Sequence, residues 1–448
     1  MQGEKVKRLA GYGIGDFGLN IYWHSLSLIL TFWYVEVVGL DPKVAGWIYA
    51  LGLLWDAISD PVIASIAAAN RSRFGIYRPF LLFGSLVLGA SFSLLFWRPP
   101  LEGWLLLVAL IGSGILFRTC YTLVAVPYSA LSARLTFSSD ERAELSGVRM
   151  FFAFCGMLCV MTFAFPVSRM LGEGDTAYSS TGFFLAATVG ACLATCALVA
   201  CFFFTQERPP PGREEVNRGW NLRTFILAFR NNAALRSLML LLLVNSAAGS
   251  ILNISMLFYI TANAGDFAAK EVILSTYGIA TLAGTPIWTI LARSIGKRRC
   301  WLAATILTAV SGLWLFAQGP FLISGVPVQI IAFGFANCAF AIIIWALIPD
   351  TVEYGQHAYG RRDEGAVFGS SLFVQKASGG LTGLGVGYLL SAIGYQADQK
   401  AQSAETANAL GQFIALVPPA LLFIASIALF LMPLTRDLHA RIVDELSR

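Results

Sequence analysis

The chain has 448 residues, of which 57% are hydrophobic and 13% charged, and its mean hydropathy is +0.68. These values exclude an ordinary soluble globular protein, in which about a quarter of the residues are charged. The net charge of +5 does not indicate nucleic-acid binding, because the basic residues are dispersed in short segments between apolar runs. The composition therefore predicts an integral membrane protein.

Twelve apolar segments follow one another along the chain, each long enough to cross a bilayer as a helix. We predict spans at 10–38, 43–68, 80–98, 104–133, 146–171, 183–205, 234–262, 269–292, 300–317, 326–348, 366–394 and 407–432. The only sizeable polar stretch between them, 206–233, has the Pro-rich and charged composition of a linker, with a short surface helix at 220–229. The expected organisation is an N-terminal six-helix bundle (1–205), a cytoplasmic linker (206–233), a C-terminal six-helix bundle (234–432) and a cytoplasmic tail (433–448).

The loops give the topology. With a cytoplasmic N-terminus, 22 Lys and Arg fall in loops on the inner side and five in loops on the outer side. Such an asymmetry predicts that both termini are cytoplasmic, in an inner (plasma) membrane. The two halves of the sequence also resemble each other, since a basic loop follows the second span (71–78) and another follows the eighth (293–299). Weak repeats across a central linker are typical of transporters with the major facilitator fold.

The second span contains an acidic pair. Asp56 and Asp60 are four residues apart and share one face of a helix, and Ser59 adds a hydroxyl nearby. Carboxylates are costly inside a bilayer and require a partner in a protein-lined interior. Their oxygens suit a small cation, Na⁺ or H⁺. The alternative is that the two acids only cap or bridge helices.

Four further ionisable residues lie at membrane depth: Asp16, Arg118, Arg149 and Lys376. Arg118 in the fourth span requires either a carboxylate partner from span one or two or an anionic ligand. Arg149 can pair with Asp16 or Asp56, and Lys376, in the second half, can balance the charge of the acids in the first half.

The first span carries a polar and aromatic stripe in an otherwise apolar helix. Its members, at i, i+4, i+7 and i+8, are Asp16, Asn20, Trp23 and His24. Such a stripe offers hydrogen bonds and an aromatic platform to a sugar. Asn20 can equally serve as a polar contact between packed helices.

These residues lie in motifs that resemble the glycoside–pentoside–hexuronide:cation symporter family. The motifs, which extend over most of the chain, are GYGIGD at 11–16, YVEVVGL at 34–40, WDAISDP at 55–61, RSRFG at 71–75, PY at 127–128, DER at 140–142, PDTVEYG at 349–355 and RDEG at 362–365. The resemblance implies twelve transmembrane helices in two pseudo-symmetric six-helix bundles, the all-α major facilitator fold.

The resemblance also implies site residues. The expected cation site comprises Asp56, Ser59, Asp60 and Thr122, with Na⁺ at Asp56 and Asp60 if the coupling ion is Na⁺. The positions of Arg149 and Lys376 are implied to line the sugar cavity. Together with residues chosen from the first and fourth spans, the expected substrate-binding residues are Asn20, Arg118, Tyr121, Arg149 and Lys376, and the expected gating residues are Arg73, Arg142, Arg362 and Glu364.

The sequence departs from the best-known member of the family at five positions. Asn20 stands where that protein has a sugar-binding Asp, although many relatives also have Asn, and Ser129 replaces a Trp. Ser59 stands where that protein has Asn, which leaves open the choice between Na⁺ and H⁺. Ala125 replaces a sugar-binding acid, and Arg118 replaces a small residue on the same helix face. Losing an acid and gaining a cation predicts a preference for an anionic substrate.

The expected function is Na⁺- or H⁺-coupled symport of a sugar, glycoside or uronate/hexuronide. The alternative is the same fold with another amphiphilic or anionic cargo, such as a lysolipid. An enzyme is not expected, because the sequence has no HExxH motif and no Gly-x-Ser-x-Gly elbow. We expect no cofactor besides the coupling ion, no nucleic-acid partner and a functional monomer. The eight cysteines form no CxxC pair and are expected to pack as small apolar side chains.

Overall fold

The structure is a computed structural model. It describes residues 2–69, 72–135, 139–172, 179–207, 229–263, 267–319, 322–323, 326–360, 364–397 and 402–447. Most of the predicted linker, including the surface helix predicted at 220–229, lies outside these residues, and the linker boundaries stay a prediction.

Helices account for almost all of the described residues. The first six are α1 (Gln2–His24), α2 (Pro42–Ala69), α3 (Ser85–Leu95), α4 (Gly103–Leu135), α5 (Ser139–Leu171) and α6 (Ser180–Phe204). They are followed by α7 (Ala233–Asn263), α8 (Phe267–Ile295), α9 (Lys297–Gln318), α10 (Val328–Tyr359), α11 (Glu364–Ala392), α12 (Ala404–Leu431) and α13 (Arg436–Ser447). A two-residue antiparallel pair, β1 (Leu322–Ile323) and β2 (Val326–Pro327), precedes α10.

Each of the twelve predicted spans overlaps with one of the helices α1–α12, although the bounds differ, most of all for the first span, where α1 ends at His24. Among the described residues, seven helices are long and apolar enough to cross a membrane by length and composition alone: α4, α5, α6, α7, α9, α10 and α12. Exposed apolar side chains such as Leu54, Ile58 and Leu381, each more than half exposed, are expected on surfaces that face lipid.

Three π-helical turns interrupt the regular geometry. Ser25–Leu30 and Trp33–Val37 continue α1, and Phe80–Gly84 leads into α3. They make the C-terminal part of the first span and the start of the third irregular. Such turns are uncommon overall but occur often at functional sites. The sequence does not predict them.

The chain forms two compact units. The first comprises Met1–Asn217, Asp266–Gly278 and Gly387–Lys400, and the second comprises Arg218–Gly265, Ile279–Val386 and Ala401–Arg448. Within the first unit, the short segments are held by polar contacts: Tyr395 donates to Glu36 Oε1 at 2.6 Å, and Arg169 Nη2 lies 3.1 Å from Glu271 Oε2.

Close backbone packing in the first unit depends on glycines of α1. A Cβ atom on Gly15 would lie 2.5 Å from the Tyr128 ring, and one on Gly18 would lie 2.7 Å from the carbonyl oxygen of Ala194. Both separations are too short for a side chain, so α1 approaches α4 and α6 closely only because these positions lack one.

Each half contains an equivalent arginine clamp. Arg78, just before α3, donates to the Phe202 carbonyl at 2.8 Å and stacks 4.4 Å from the centre of the Phe202 ring, near the end of α6. Arg298, at the start of α9, donates to the carbonyls of Met432 and Leu434 and lies 5.8 Å from the centre of the Phe430 ring, near the end of α12. The repeated contact agrees with the echo between the basic loops at 71–78 and 293–299.

The last helix, α13, packs on α10 in the second unit. His439 Nε2 lies 2.7 Å from Glu353 Oε2, and His357 Nε2 lies 2.7 Å from Glu445 Oε2. Asp350 of α10 also pairs with Lys297 of α9. The predicted tail (433–448) therefore contains a helix that is docked by side-chain contacts.

Candidate functional site

The predicted acidic pair lies at a direct contact between α2 and α4. Arg118 Nη1 donates to Asp56 Oδ2 at 2.8 Å, and Thr122 Oγ1 donates to Asp60 Oδ1 at 2.8 Å. The two acids are one turn apart on α2, and their two donors are one turn apart on α4. We call this pair of contacts the α2–α4 ladder.

The two rungs of the ladder differ in charge and burial. Asp56 is 3% exposed and Arg118 4%, so the first rung is a buried ion pair. Each charge depends on the other, because an uncompensated ion is very costly in such surroundings. On the second rung the donor is a neutral hydroxyl, and Asp60 is only half-buried.

The Arg118 side chain occupies a fitted cradle. A Cβ atom on Gly52 of α2 would lie 2.3 Å from Arg118 Nε, so only glycine leaves room for the guanidinium. The guanidinium also lies 5.6 Å from the centre of the Tyr49 ring, within the range of a cation–π contact. Beside it is a cavity of ≈ 10 Å³, lined in part by Tyr34, Tyr49 and Phe117, which is about the space of one water molecule.

Two neighbouring groups complete the polar part of the contact. Ser59 is 7% exposed, and its Oγ has no hydrogen-bond partner among the described residues. A buried hydroxyl without a partner is unusual and leaves an oxygen available to a ligand. Trp55 donates from Nε1 to Thr119 Oγ1 at 2.9 Å, which adds a further link between α2 and α4.

A second ion pair, between buried Asp16 and half-buried Arg149, lies between α1 and α5. Arg149 Nε lies 2.5 Å from Asp16 Oδ2, and Nη2 lies 3.4 Å from Oδ1. The guanidinium is also 5.6 Å from the ring centre of Tyr12 and 5.5 Å from that of Tyr128. Those two rings stack at 4.5 Å, and each hydroxyl donates to the other residue's carbonyl at 2.8 Å.

The structure selects between the alternatives that the sequence leaves open for the two arginines. Arg118 pairs with Asp56, which is the carboxylate-partner alternative, and Arg149 pairs with Asp16 rather than Asp56. The guanidinium of Arg118 is therefore already engaged, and its predicted contact with an anionic substrate has no support from this geometry. The substrate-binding role of both arginines stays a prediction.

The remaining predicted substrate residues are dispersed. Asn20 donates to the backbone carbonyl of Asp16 at 2.8 Å, within α1. The Tyr121 ring lies 6.3 Å from that of Trp23, which places the aromatic part of the α1 stripe against α4. Lys376 is half-buried in α11 of the second unit.

Only one predicted gating residue can be described. Arg73 is exposed, and its guanidinium lies 4.7 Å from the centre of the Phe74 ring. Arg362 and the side chains of Arg142 and Glu364 lie outside the described residues, so the gating assignment stays a prediction.

Sequence reasoning missed the Gly52 cradle and the Tyr12–Tyr128 stack. The only sequence signal for the cradle is the glycine itself, four residues before Asp56 and one helical turn away. All eight cysteines are free thiols, of which Cys192 and Cys196 are exposed. Among the described residues, no group of three or more His, Cys, Asp or Glu side chains is placed to hold a metal ion.

The helical architecture and the paired intramembrane charges define a multi-pass membrane carrier. A bacterial homologue of the human lysosomal transporter Spinster has a similar structure, with a TM-score of 0.70 at 11% identity over 97% of this chain and 100% of that one. At that identity the likeness shows the fold alone, which is the predicted major facilitator fold of twelve transmembrane helices.

Residues 11–436 match the family model described as MFS/sugar transport protein, and the chain belongs to that family. It is 29% identical to the inner membrane symporter YicJ of Escherichia coli over 92% of this chain and 88% of that one. It is 26% identical to the glucuronide carrier protein homolog of the same organism (98% and 95% covered) and 27% identical to the isoprimeverose transporter of Lactiplantibacillus pentosus (91% and 84%). The resemblance to the glycoside–pentoside–hexuronide:cation symporter family is thereby confirmed.

Proposed function

We propose that the protein is a secondary active transporter that couples the movement of a cation, Na⁺ or H⁺, to uptake of a sugar or glycoside. The family match over residues 11–436 supports this function, as do relatives named a symporter, a glucuronide carrier protein homolog and an isoprimeverose transporter. We further propose, from the unequal distribution of Lys and Arg between the loops, that both termini are cytoplasmic.

The observation that carries the proposal is the α2–α4 ladder. Two carboxylates one turn apart in a lipid-embedded helix are expensive, and polar residues kept at such depth are usually functional. Asp60 with Thr122, next to the buried hydroxyl of Ser59, offers oxygen ligands to a small cation. Binding a cation there would change the charge at the α2–α4 contact and favour one conformation of the carrier.

The proposed cargo includes neutral and anionic sugars. One relative is named for glucuronide, an anion, and another for isoprimeverose, a neutral sugar. Because Arg118 is engaged by Asp56, it gives no reason to prefer the anion. The lysolipid alternative is not better supported than a sugar.

The coupling between cargo and ion has a thermodynamic consequence. If a bound cation raises sugar affinity by some factor, bound sugar must raise cation affinity by the same factor. A sugar without effect on cation binding is therefore not a coupled substrate.

Transport by the purified protein in proteoliposomes tests the proposal. Counterflow with a glucuronide, a xyloside and a melibioside identifies the cargo, and uptake under an imposed Na⁺ or proton gradient identifies the ion. We expect gradient-driven accumulation to be lost in Asp56→Asn and Asp60→Asn and retained in Glu102→Gln, a control that removes an exposed loop carboxylate. Accumulation that persists in a protein carrying both aspartate substitutions would contradict the assignment of the ion site.

A further inference from the structure

We propose that Arg118 acts as a tethered cation: it takes the place of a free metal cation at Asp56 and so makes the carrier selective against Na⁺. This inference rests on the proposed cation-coupled transport and names a residue that determines its ion specificity. It follows from the buried contact between Arg118 and Asp56 and from the cradle that holds the guanidinium there.

The first step concerns competition for Asp56. Arg118 Nη1 lies 2.8 Å from Asp56 Oδ2, and both residues are more than nine-tenths buried. A charge-assisted hydrogen bond of this kind is among the stronger polar contacts in proteins. A Na⁺ ion that uses Asp56 as a ligand must displace the guanidinium or share the carboxylate with a positive charge, and both are unfavourable.

The second step concerns the fit of Arg118. The guanidinium is confined on the α2 side by Gly52, where any Cβ atom would overlap with Nε, and it lies over the ring of Tyr49. A charged side chain that is confined in this way loses little conformational entropy on forming the contact. Two residues of α2 thus fit around the side chain of Arg118, so its place at Asp56 is built into the packing of α4 on α2.

The third step compares the two rungs of the ladder. At the first rung, α4 contributes a permanent cation. At the second rung, it contributes Thr122, whose hydroxyl donates to Asp60 and can also act as an oxygen ligand. The two rungs have the same spacing but not the same chemistry, and only at the first does α4 itself supply the positive charge.

Binding of Na⁺ to the purified protein tests this inference and does not require the sugar to be known. Isothermal titration with NaCl, with KCl as the ionic-strength control, is carried out on the wild type, Arg118→Ala, Arg118→Gln, Arg118→Lys and the double variant Arg118→Ala with Asp56→Asn. We expect Arg118→Ala and Arg118→Gln to bind Na⁺ at least tenfold more tightly than the wild type. Arg118→Lys, which keeps the charge, and the double variant, which lacks the carboxylate, should resemble the wild type.

The double variant also controls for misfolding. It removes both members of the ion pair, so no unpaired charge is left buried at the first rung. Saturable Na⁺ binding to the wild type with the affinity of Arg118→Ala would overturn the inference. An equal gain of Na⁺ affinity in the double variant would overturn it as well, since Asp56 would then not be the ligand that Arg118 blocks.

Failure of the inference can be separated from failure of the proposed function. Sugar counterflow by the wild type requires no ion gradient. Counterflow without any change of Na⁺ affinity in Arg118→Ala and Arg118→Gln contradicts the role of Arg118 alone. Absence of both counterflow and gradient-driven uptake for every sugar of the panel contradicts the transport function itself.

Discussion

Substituting Gly52 by alanine displaces Arg118 without changing any charged residue. The new Cβ atom would lie 2.3 Å from Nε, 2.9 Å from Cδ and 3.0 Å from Cζ of Arg118. Ordinary contacts between such atoms are about 3.5 Å, so the guanidinium must move by about 1 Å. The Nη1–Oδ2 separation, now 2.8 Å, would then exceed hydrogen-bonding distance.

The energetic cost follows from two terms. Overpacking a well-filled site costs about 1–3 kcal/mol, and losing a hydrogen bond to a charged group costs about 1.5–3 kcal/mol. Replacing glycine by alanine within a helix returns about 1 kcal/mol. We therefore expect Gly52→Ala to lower the free energy of unfolding by about 1.5–5 kcal/mol.

Equilibrium unfolding of the purified protein in mixed micelles measures this change. Gly112→Ala in α4 is the matched control, because a Cβ atom there meets no atom within 4 Å, and we expect it to be neutral or slightly stabilising. In an Arg118→Ala background the overlap disappears, so Gly52→Ala should then behave like the control. If Gly52→Ala matches Gly112→Ala in the wild-type background, the reasoning about the cradle is wrong.

Three further predictions concern other contacts. The carboxylate of Glu207 accepts hydrogen bonds from the backbone N–H groups at positions 76–78 at 2.7–2.9 Å. Glu207→Ala should therefore lower the free energy of unfolding by about 2–4 kcal/mol, whereas the control Glu102→Ala, at an exposed position, should lower it by about 0.5 kcal/mol. Equal effects of the two substitutions would contradict a role of Glu207 in binding these N–H groups. Arg149→Met leaves the buried Asp16 without its guanidinium partner and should lower the free energy of unfolding by about 3–5 kcal/mol. Part of this loss should be recovered when Asp16→Asn is added. If the effects of the two substitutions are simply additive, the two residues are not coupled. His439→Ala removes a contact that docks α13, so hydrogen exchange over 436–447 should accelerate while that of α12 stays unchanged; unchanged exchange in α13 would show that the contact does not hold the helix.

The sequence predicts the helices of this fold well, for a physical reason. A membrane span requires about 20 apolar residues in a row, a signal that depends on no distant contact. All twelve predicted spans overlap with helices. The π-turns after His24 and before α3 were not predicted, because they depend on how neighbouring helices pack.

The candidate site was only partly predictable. The spacing of Asp56 and Asp60 places both on one face of α2 whatever surrounds them. Which of the acids Arg118 contacts depends on the rotation and offset of α4 against α2. These depend on single residues such as Gly52, whose role no sequence pattern indicates. The family resemblance supplies Thr122 as a neighbour of the acids, and the contact with Asp60 agrees with it.

The arginine clamps have a consequence for how substitutions destabilise this carrier. Arg78 ties its helix to the end of α6, and Arg298 ties its helix to the end of α12, each within its own half of the sequence. We therefore expect a substitution of Arg78 to weaken the packing mainly in the first half of the sequence, and a substitution of Arg298 mainly in the second. Each clamp thus acts locally, on the ends of helices that belong to one half of the sequence.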